Sequence, residues 1–237
     1  MDLNNMKRWL LLPLSLILLG GCTPSSGTST GSSATTVQTT ATVVTAPPTA
    51  APTLPMAVRE LSDDCSEPRV EGDVITHVVI HFMSNVVARP DEPFDMDDIQ
   101  AVFEQGGVSS HYVIARDGAV VQFVAEDRVA YHAGKGTLAG LPAYENRLNW
   151  HSIGIELLGV GSQAEMAEYL TSAEYARLSP DVIGFTDAQY VTLRALLAKV
   201  AARHDVVLDR QHVIGHDEYA PSKRDPGGLF DWGKVGF

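Results

Sequence analysis

Hydrophobic and polar positions change character three times along the chain. Residues 9–19 form an apolar run (WLLLPLSLILL) preceded by Lys7 and Arg8. Residues 23–55 carry no hydrophobic period: Ser, Thr, Ala, Pro and Gly fill 28 of 33 positions, with no charged or aromatic residue among them. Regular patterns begin only beyond residue 56. Val74–Met83 alternates with a period of two, which predicts a β-strand with His77, Val79, His81 and Met83 on one face. The spacing over Asp95–Gln105 predicts a short helix, opened by acidic residues and closed by Gly106-Gly107. The β-rich runs His111–Arg116 and Ala119–Ala125 flank Asp117-Gly118, a hairpin signal. Ser152–Leu158 (SIGIELL) reads as a further strand and His212–Ile214 as a last short one. Between them Thr186 and Gln189 have capping-box spacing, and Tyr190, Leu193, Leu196, Leu197 and Val200 recur at helical spacing through Arg203. Strands and helices mix without strict βαβ alternation. The predicted fold class is therefore α/β: a central mixed β-sheet flanked by helices, one domain over 56–237, with 159–185 a surface insertion bordering a cleft.

Composition sharpens this division. The run at 9–19 is shorter than the roughly 20 residues a bilayer-spanning helix needs, and it fits the apolar region of a signal peptide. Gly20-Gly21-Cys22 after the leucines resembles the lipobox of bacterial lipoproteins. That resemblance implies cleavage before Cys22, lipidation of its sulfur, and a chain anchored to a membrane in the cell envelope, facing the wall or periplasm. Residues 23–55 cannot bury enough apolar area to offset their ordering entropy, so a flexible tether is expected, with a coil span of about 30 Å and a stretched reach near ~110 Å. The whole chain carries 17 basic and 29 acidic residues, a net charge of −12. This excludes nucleic acid as a partner, since phosphate binding needs clustered Lys and Arg. The other cysteine, Cys65, is expected as a small residue in the domain's lead-in, and two cysteines rule out both a disulfide framework and a four-cysteine zinc site. A monomer is expected.

All eight histidines lie beyond residue 56. His81 sits near the end of an apolar strand, His216 follows the last strand, and Asp225 lies nine positions later. Two imidazoles and a carboxylate would satisfy a catalytic zinc site that keeps one position for water. Spacing alone leaves open ordinary core or surface histidines with neutral rings satisfied by backbone partners. Glu156 stands in an otherwise apolar strand, where a carboxylate is costly unless paired or functional; the alternative is a solvent-facing position. Lys223, two residues before Asp225, could stabilise an oxyanion or be an exposed loop lysine.

Four segments, THVVIHFMSN (76–85), VSSHYVIARDGAVVQFVAEDRVAYHAG (108–134), NWHSIGIELLG (149–159) and VIGHDEYAPSKRDPGGLFDW (213–232), occur in order. Together they resemble the zinc-dependent N-acetylmuramoyl-L-alanine amidases of the type 2 amidase and peptidoglycan-recognition superfamily, on the branch with a carboxylate third ligand. The resemblance implies one zinc ion on His81, His216 and Asp225, with Glu156 and Lys223 as catalytic residues. It places His132 and Asn149 around the substrate groove, matches His111 to a family histidine taken here as structural, and gives His151, His204 and His212 no role; His77, on one strand face with His81, is read as packing or as a support behind that ligand. The substrate it implies is peptidoglycan or a muropeptide, cleaved at the amide joining N-acetylmuramic acid to L-alanine. Superfamily members that lose a metal ligand bind muropeptides without cleaving them, and a zinc hydrolase of another amide is a further reading; here all the ligands and Glu156 are present. The loop APSKRDPG is one residue shorter than the usual family pattern, so Arg224 competes with Lys223 for the place beside the site. An arginine there could stabilise charge but not shuttle a proton.

Overall fold

In the computed structural model, which describes residues 54–237, a six-stranded sheet is built around two long parallel strands. These are β3 (His77–Met83) and β7 (Ser152–Leu158), paired in register from His77–Ser152 to Met83–Leu158. β8 (Val213–Gly215) runs parallel to β3 on its other side. β4 (Tyr112–Ile114) lies parallel to β7 and turns back into the antiparallel β5 (Val120–Gln122). β1 (Met56–Val58) closes the edge, parallel to β5, giving the order β1-β5-β4-β7-β3-β8. A second, two-stranded antiparallel sheet pairs β2 (Ser66–Pro68) with β6 (Arg128–Ala130).

The two faces of the large sheet have different coverings. On one, Val78, Ile80, Ile153, Ile155 and Leu157 pack beneath Tyr190, Leu193, Leu196, Leu197 and Val200 of α3 (Asp187–His204). Each such side chain contributes roughly 1.5–3 kcal/mol on burial, so this layer is the main core. The predicted capping box forms: Thr186 Oγ1 accepts from Gln189 N, and the Gln189 side chain accepts from Thr186 N. On the other face α1 (Met96–Gly106), capped by Asp95, lays Ile99 and Phe103 against Val113, Val121 and Leu158. Farther along that face a smaller cluster joins Val79 and Ile214 to Ala133, Leu148, Tyr219 and Ala220. His81 and Glu156 emerge on this second face.

The sheet is mixed and flanked by helices, as the pattern predicts, but some edges differ. β3 begins at His77 rather than Val74, because the pairing partner begins at Ser152 and Val74 is exposed. Three short strands, β1, β2 and β6, have no counterpart in the sequence pattern. Leu54 packs against the α3 core, so the fold reaches back ahead of residue 56. The 159–185 stretch carries a 3-10 turn at Glu165–Glu168, α2 (Ser172–Tyr175) and a second turn at Pro180–Val182. The signal segment, Cys22 and the tether through residue 53 lie outside the described residues. Among the described residues no helix is long and apolar enough to cross a membrane.

Candidate functional site

Strand register brings the first two groups together. His81 and Glu156 are direct partners on β3 and β7, so both side chains leave the same face about 4.8 Å apart at the backbone. β8 ends at Gly215, and His216 opens α4 (His216–Tyr219) with its ring centroid 4.5 Å from that of His81. Asp225 arrives from the irregular stretch after α4 and is tied back by its carbonyl, which accepts from Asp217 N at 2.9 Å. The result is a triangle. His81 Nδ1 lies 2.7 Å from Asp225 Oδ2, His216 Nδ1 lies 3.0 Å from the same oxygen, and the two Nδ1 atoms are 3.1 Å apart.

The outer contacts decide which of these atoms carry protons. His216 Nε2 is 3.0 Å from the Ala133 carbonyl, which can only accept, so Nε2 donates and Nδ1 of the neutral ring is a lone pair. Ser152 Oγ donates to the Leu148 carbonyl at 2.6 Å and therefore accepts from His132 Nε2 at 3.2 Å. His132 Nδ1 is then an acceptor and takes the proton of His81 Nε2 at 3.1 Å. His81 Nδ1 is thus a lone pair as well. Burial, and then the neighbouring His216, lower the His81 pKa to about 4, which keeps the ring neutral. Asp225 meets both ring nitrogens through a single carboxylate oxygen, Oδ2. With both rings neutral, three electron-pair donors would face one another with no proton between them. A cation satisfies that arrangement, and the sides of the triangle approach the roughly 3.3 Å edge of a tetrahedron with bonds near 2.0–2.1 Å. Among the described residues these three form the one group of His, Cys, Asp or Glu donors that converges closely enough to hold a metal ion.

Glu156 stands beside the triangle, 8% exposed, and its Oε2 has no hydrogen-bond partner among the described residues. Burial and the charge of Asp225 raise its pKa well above the ordinary value, while Lys223 draws it down. The Lys223 ammonium also acts on His81. The charge of Lys223 thus reaches both groups. His132 departs from a groove-lining position: it is buried behind His81 with both ring nitrogens engaged inside the protein. Asn149 is placed next to it, its Oδ1 accepting from His132 N and Ala133 N at 3.1 and 2.7 Å. Buried His111 accepts from Gly154 N and contacts the Arg128 carbonyl. His77 sits at the far end of β3 against Tyr144 and His212.

Two contributors carry no signal in the sequence. Ser152 is an ordinary strand residue until its hydroxyl is seen closing the chain from His81. Arg69 donates to the carbonyls of Glu126, Trp150 and Ser152 and so fixes the start of β7 from a segment without pattern.

The N-acetylmuramoyl-L-alanine amidase family profile matches residues 71–228. The 1,6-anhydro-N-acetylmuramyl-L-alanine amidase AmpD of Salmonella typhimurium is 36% identical over 126 residues, 53% of this chain and 54% of that protein. The chain thus spans about half the length of the first curated relatives it matches. Among solved structures, a selenomethionine derivative of AmpD superposes with a TM-score of 0.52 at 26% identity, covering 76% of this chain and 92% of the other. The E. coli amidase AmiD, in complex with the substrate anhydro-N-acetylmuramic acid-L-Ala-D-gamma-Glu-L-Lys, superposes at 0.51 with 30% identity, covering 71% and 57%. With the profile running through both histidines, Glu156 and Asp225, the chain belongs to the N-acetylmuramoyl-L-alanine amidase family.

Proposed function

We propose that this protein is a zinc-dependent amidase that hydrolyses the bond between N-acetylmuramic acid and L-alanine in peptidoglycan or its fragments. The observation that carries the reading is the convergence of three potential ligand atoms, from His81, His216 and Asp225, next to the buried Glu156, whose Oε2 has no partner among the described residues. The named activity of the AmpD relatives and the muropeptide bound to AmiD support the substrate class.

His81, His216 and Asp225 would hold the zinc. When bound, that ion supplies Lewis-acid polarisation of the scissile carbonyl and acidifies water at neutral pH. Glu156, whose raised pKa suits a general base and then acid, takes the proton of the attacking water and delivers it to the departing L-alanine amine. Lys223 stabilises the negative charge that develops on the carbonyl oxygen. His132, Ser152 and Asn149 hold the histidine ligands from behind, a role distinct from contact with substrate. The lipid anchor at Cys22 and the tether would place the domain in the cell envelope, with capture resting on the groove and local concentration because the domain is acidic.

Purified sacculi incubated with the protein should release stem peptides with a free L-alanine amine, detected by mass spectrometry. Stripping with chelator should abolish release and zinc should restore it. Equal cleavage by the stripped protein would refute the metal role. Retention on sacculi without products would identify a binding module.

A further inference from the structure

His81 and His216 are fixed by β3 and by the β8–α4 junction, whereas Asp225 belongs to a stretch of irregular backbone. What holds that stretch is visible on both sides. From within, Asp225 O accepts from Asp217 N, and Pro226 fills the space at Gly215, where an added Cβ would come within 2.7 Å of its ring. From outside, the contact comes from the loop after β7. Residues 160–184 leave and re-enter at one point: Val160 N donates to Val182 O at 3.0 Å and Gly184 N to Val160 O at 2.8 Å. The loop has an apolar interior of its own, with Val160, Met166 and Leu170 buried against Val86. Tyr175 donates its hydroxyl proton to Gly161 O at 2.9 Å, and Thr171 and Glu174 form a capping box. It is therefore a braced body rather than a loose excursion.

One side chain reaches out of it. Glu165 accepts from Ser162 N through Oε2 and from Gly228 N through Oε1, each at 2.7 Å. The approach is close enough that Gly227, at φ +73°, has no room for a side chain: a Cβ there would lie 2.5 Å from Glu165 Oε1. The carboxylate thus joins a rigid loop to the backbone two to three residues beyond Asp225. Tyr169 of the same loop lies within range of the Asp225 charge. We infer that Glu165 is a positioning residue for the metal site: through Gly228 it clamps the segment that presents Asp225, so that metal retention depends on the 160–184 loop. This deepens the proposed function and rests on His81, His216 and Asp225 being metal ligands.

The test is zinc affinity of the purified full chain, measured by competition with a chromogenic chelator after stripping. Glu165→Ala should weaken zinc binding by about 10- to 100-fold, the range for a lost partner of a ligand, with the melting temperature of the metal-free protein little changed. Glu165→Gln, which keeps an oxygen to accept from Gly228 N, should restore most of the affinity. Cobalt bound to Glu165→Ala should show altered visible bands, since its third ligand is less well held. Glu165→Asp, too short to span both amides, should lose affinity as alanine does and carries the test should the alanine variant not fold. Affinity of a folded alanine or aspartate variant within about twofold of wild type overturns the clamp alone. A wild type that binds no zinc overturns both the clamp and the metal reading beneath it.

Discussion

Glu156 is the residue whose environment says most about its task. A carboxyl held on the central strand, with one oxygen unpartnered among the described residues and burial opposing its charge, is a poor structural element and a good proton acceptor. Glu156→Gln should lower kcat by about 10²–10⁴-fold, the range for lost general acid–base catalysis, while zinc per chain, read by atomic absorption, stays at the wild-type level. Loss of bound zinc would make Glu156 a ligand instead. The same electrostatics separate two neighbouring cations. Lys223 acts on both Glu156 and His81, so Lys223→Ala should reduce kcat/KM by about 10²-fold. Arg224→Ala should cost no more than about fivefold, the scale of an exposed surface charge. Equal losses would place both on the substrate. The converging His81, His216 and Asp225, and Glu156 beside them, were legible in the sequence because each sits in a recognisable segment. The outer chain from His81 through His132 and Ser152 to Leu148 was not, because its order depends on ring orientation and on which nitrogen carries a proton, neither of which a residue string encodes.

At the level of elements, length and the surrounding run decided what could be foreseen. β7 spans the same residues as its apolar run, and α3 starts at its capping box, since seven and eighteen residues give enough period to read. β4, β5 and β8 are as short as β1, β2 and β6 but lie in or beside β-rich runs that mark them, whereas β1, β2 and β6 lack such runs and exist because a neighbouring edge offers hydrogen bonds. The 160–184 loop was legible as an insertion but not as a brace, since the Glu165–Gly228 contact joins positions 63 apart. β7, which carries Glu156, also serves the site through a residue that does not touch it. Gly154 lies two residues before Glu156 on the same face, and a Cβ there would come within 2.5 Å of the His132 ring. The absence of a side chain lets that ring lie against the strand, nearly perpendicular to the His81 ring. Gly154→Ala should therefore destabilise the fold by about 1–3 kcal/mol through overpacking, seen as a lower urea midpoint, and should weaken zinc binding as His132 is displaced. A wild-type midpoint together with wild-type affinity would show that the ring has room to move.

Across the whole molecule, buried groups with displaced proton affinities set the response to acid. His77, 2% exposed at the foot of β3, has its pKa lowered to about 4 by burial and by His212 and His151. His111 is brought to about 3 by burial and Arg69. Both rings are neutral in the fold and take up a proton more readily once the chain unfolds. Below a pH of about 6.5 the unfolded state binds more protons, so stability falls as pH drops, and for His77 the loss is complete near pH 4. Glu126 works in the same direction over a lower range. Burial pushes its carboxyl up, but hydrogen bonds from Arg203, Tyr112 and His204 bring it down to about 2, tying the turn after β5 to the end of α3. Its contribution is present above about pH 4.5 and is lost toward pH 2. The His77 share can be isolated. With chelator present, so that metal release does not enter, urea unfolding of wild type and His77→Leu should be compared from pH 7.5 to 4.5. Wild type should lose up to about 2 kcal/mol of stability relative to His77→Leu on acidification, because only the wild type carries that histidine's proton linkage. A gap that stays constant would mean that His77 titrates alike in both states, and that the histidines at the foot of the sheet do not account for acid sensitivity.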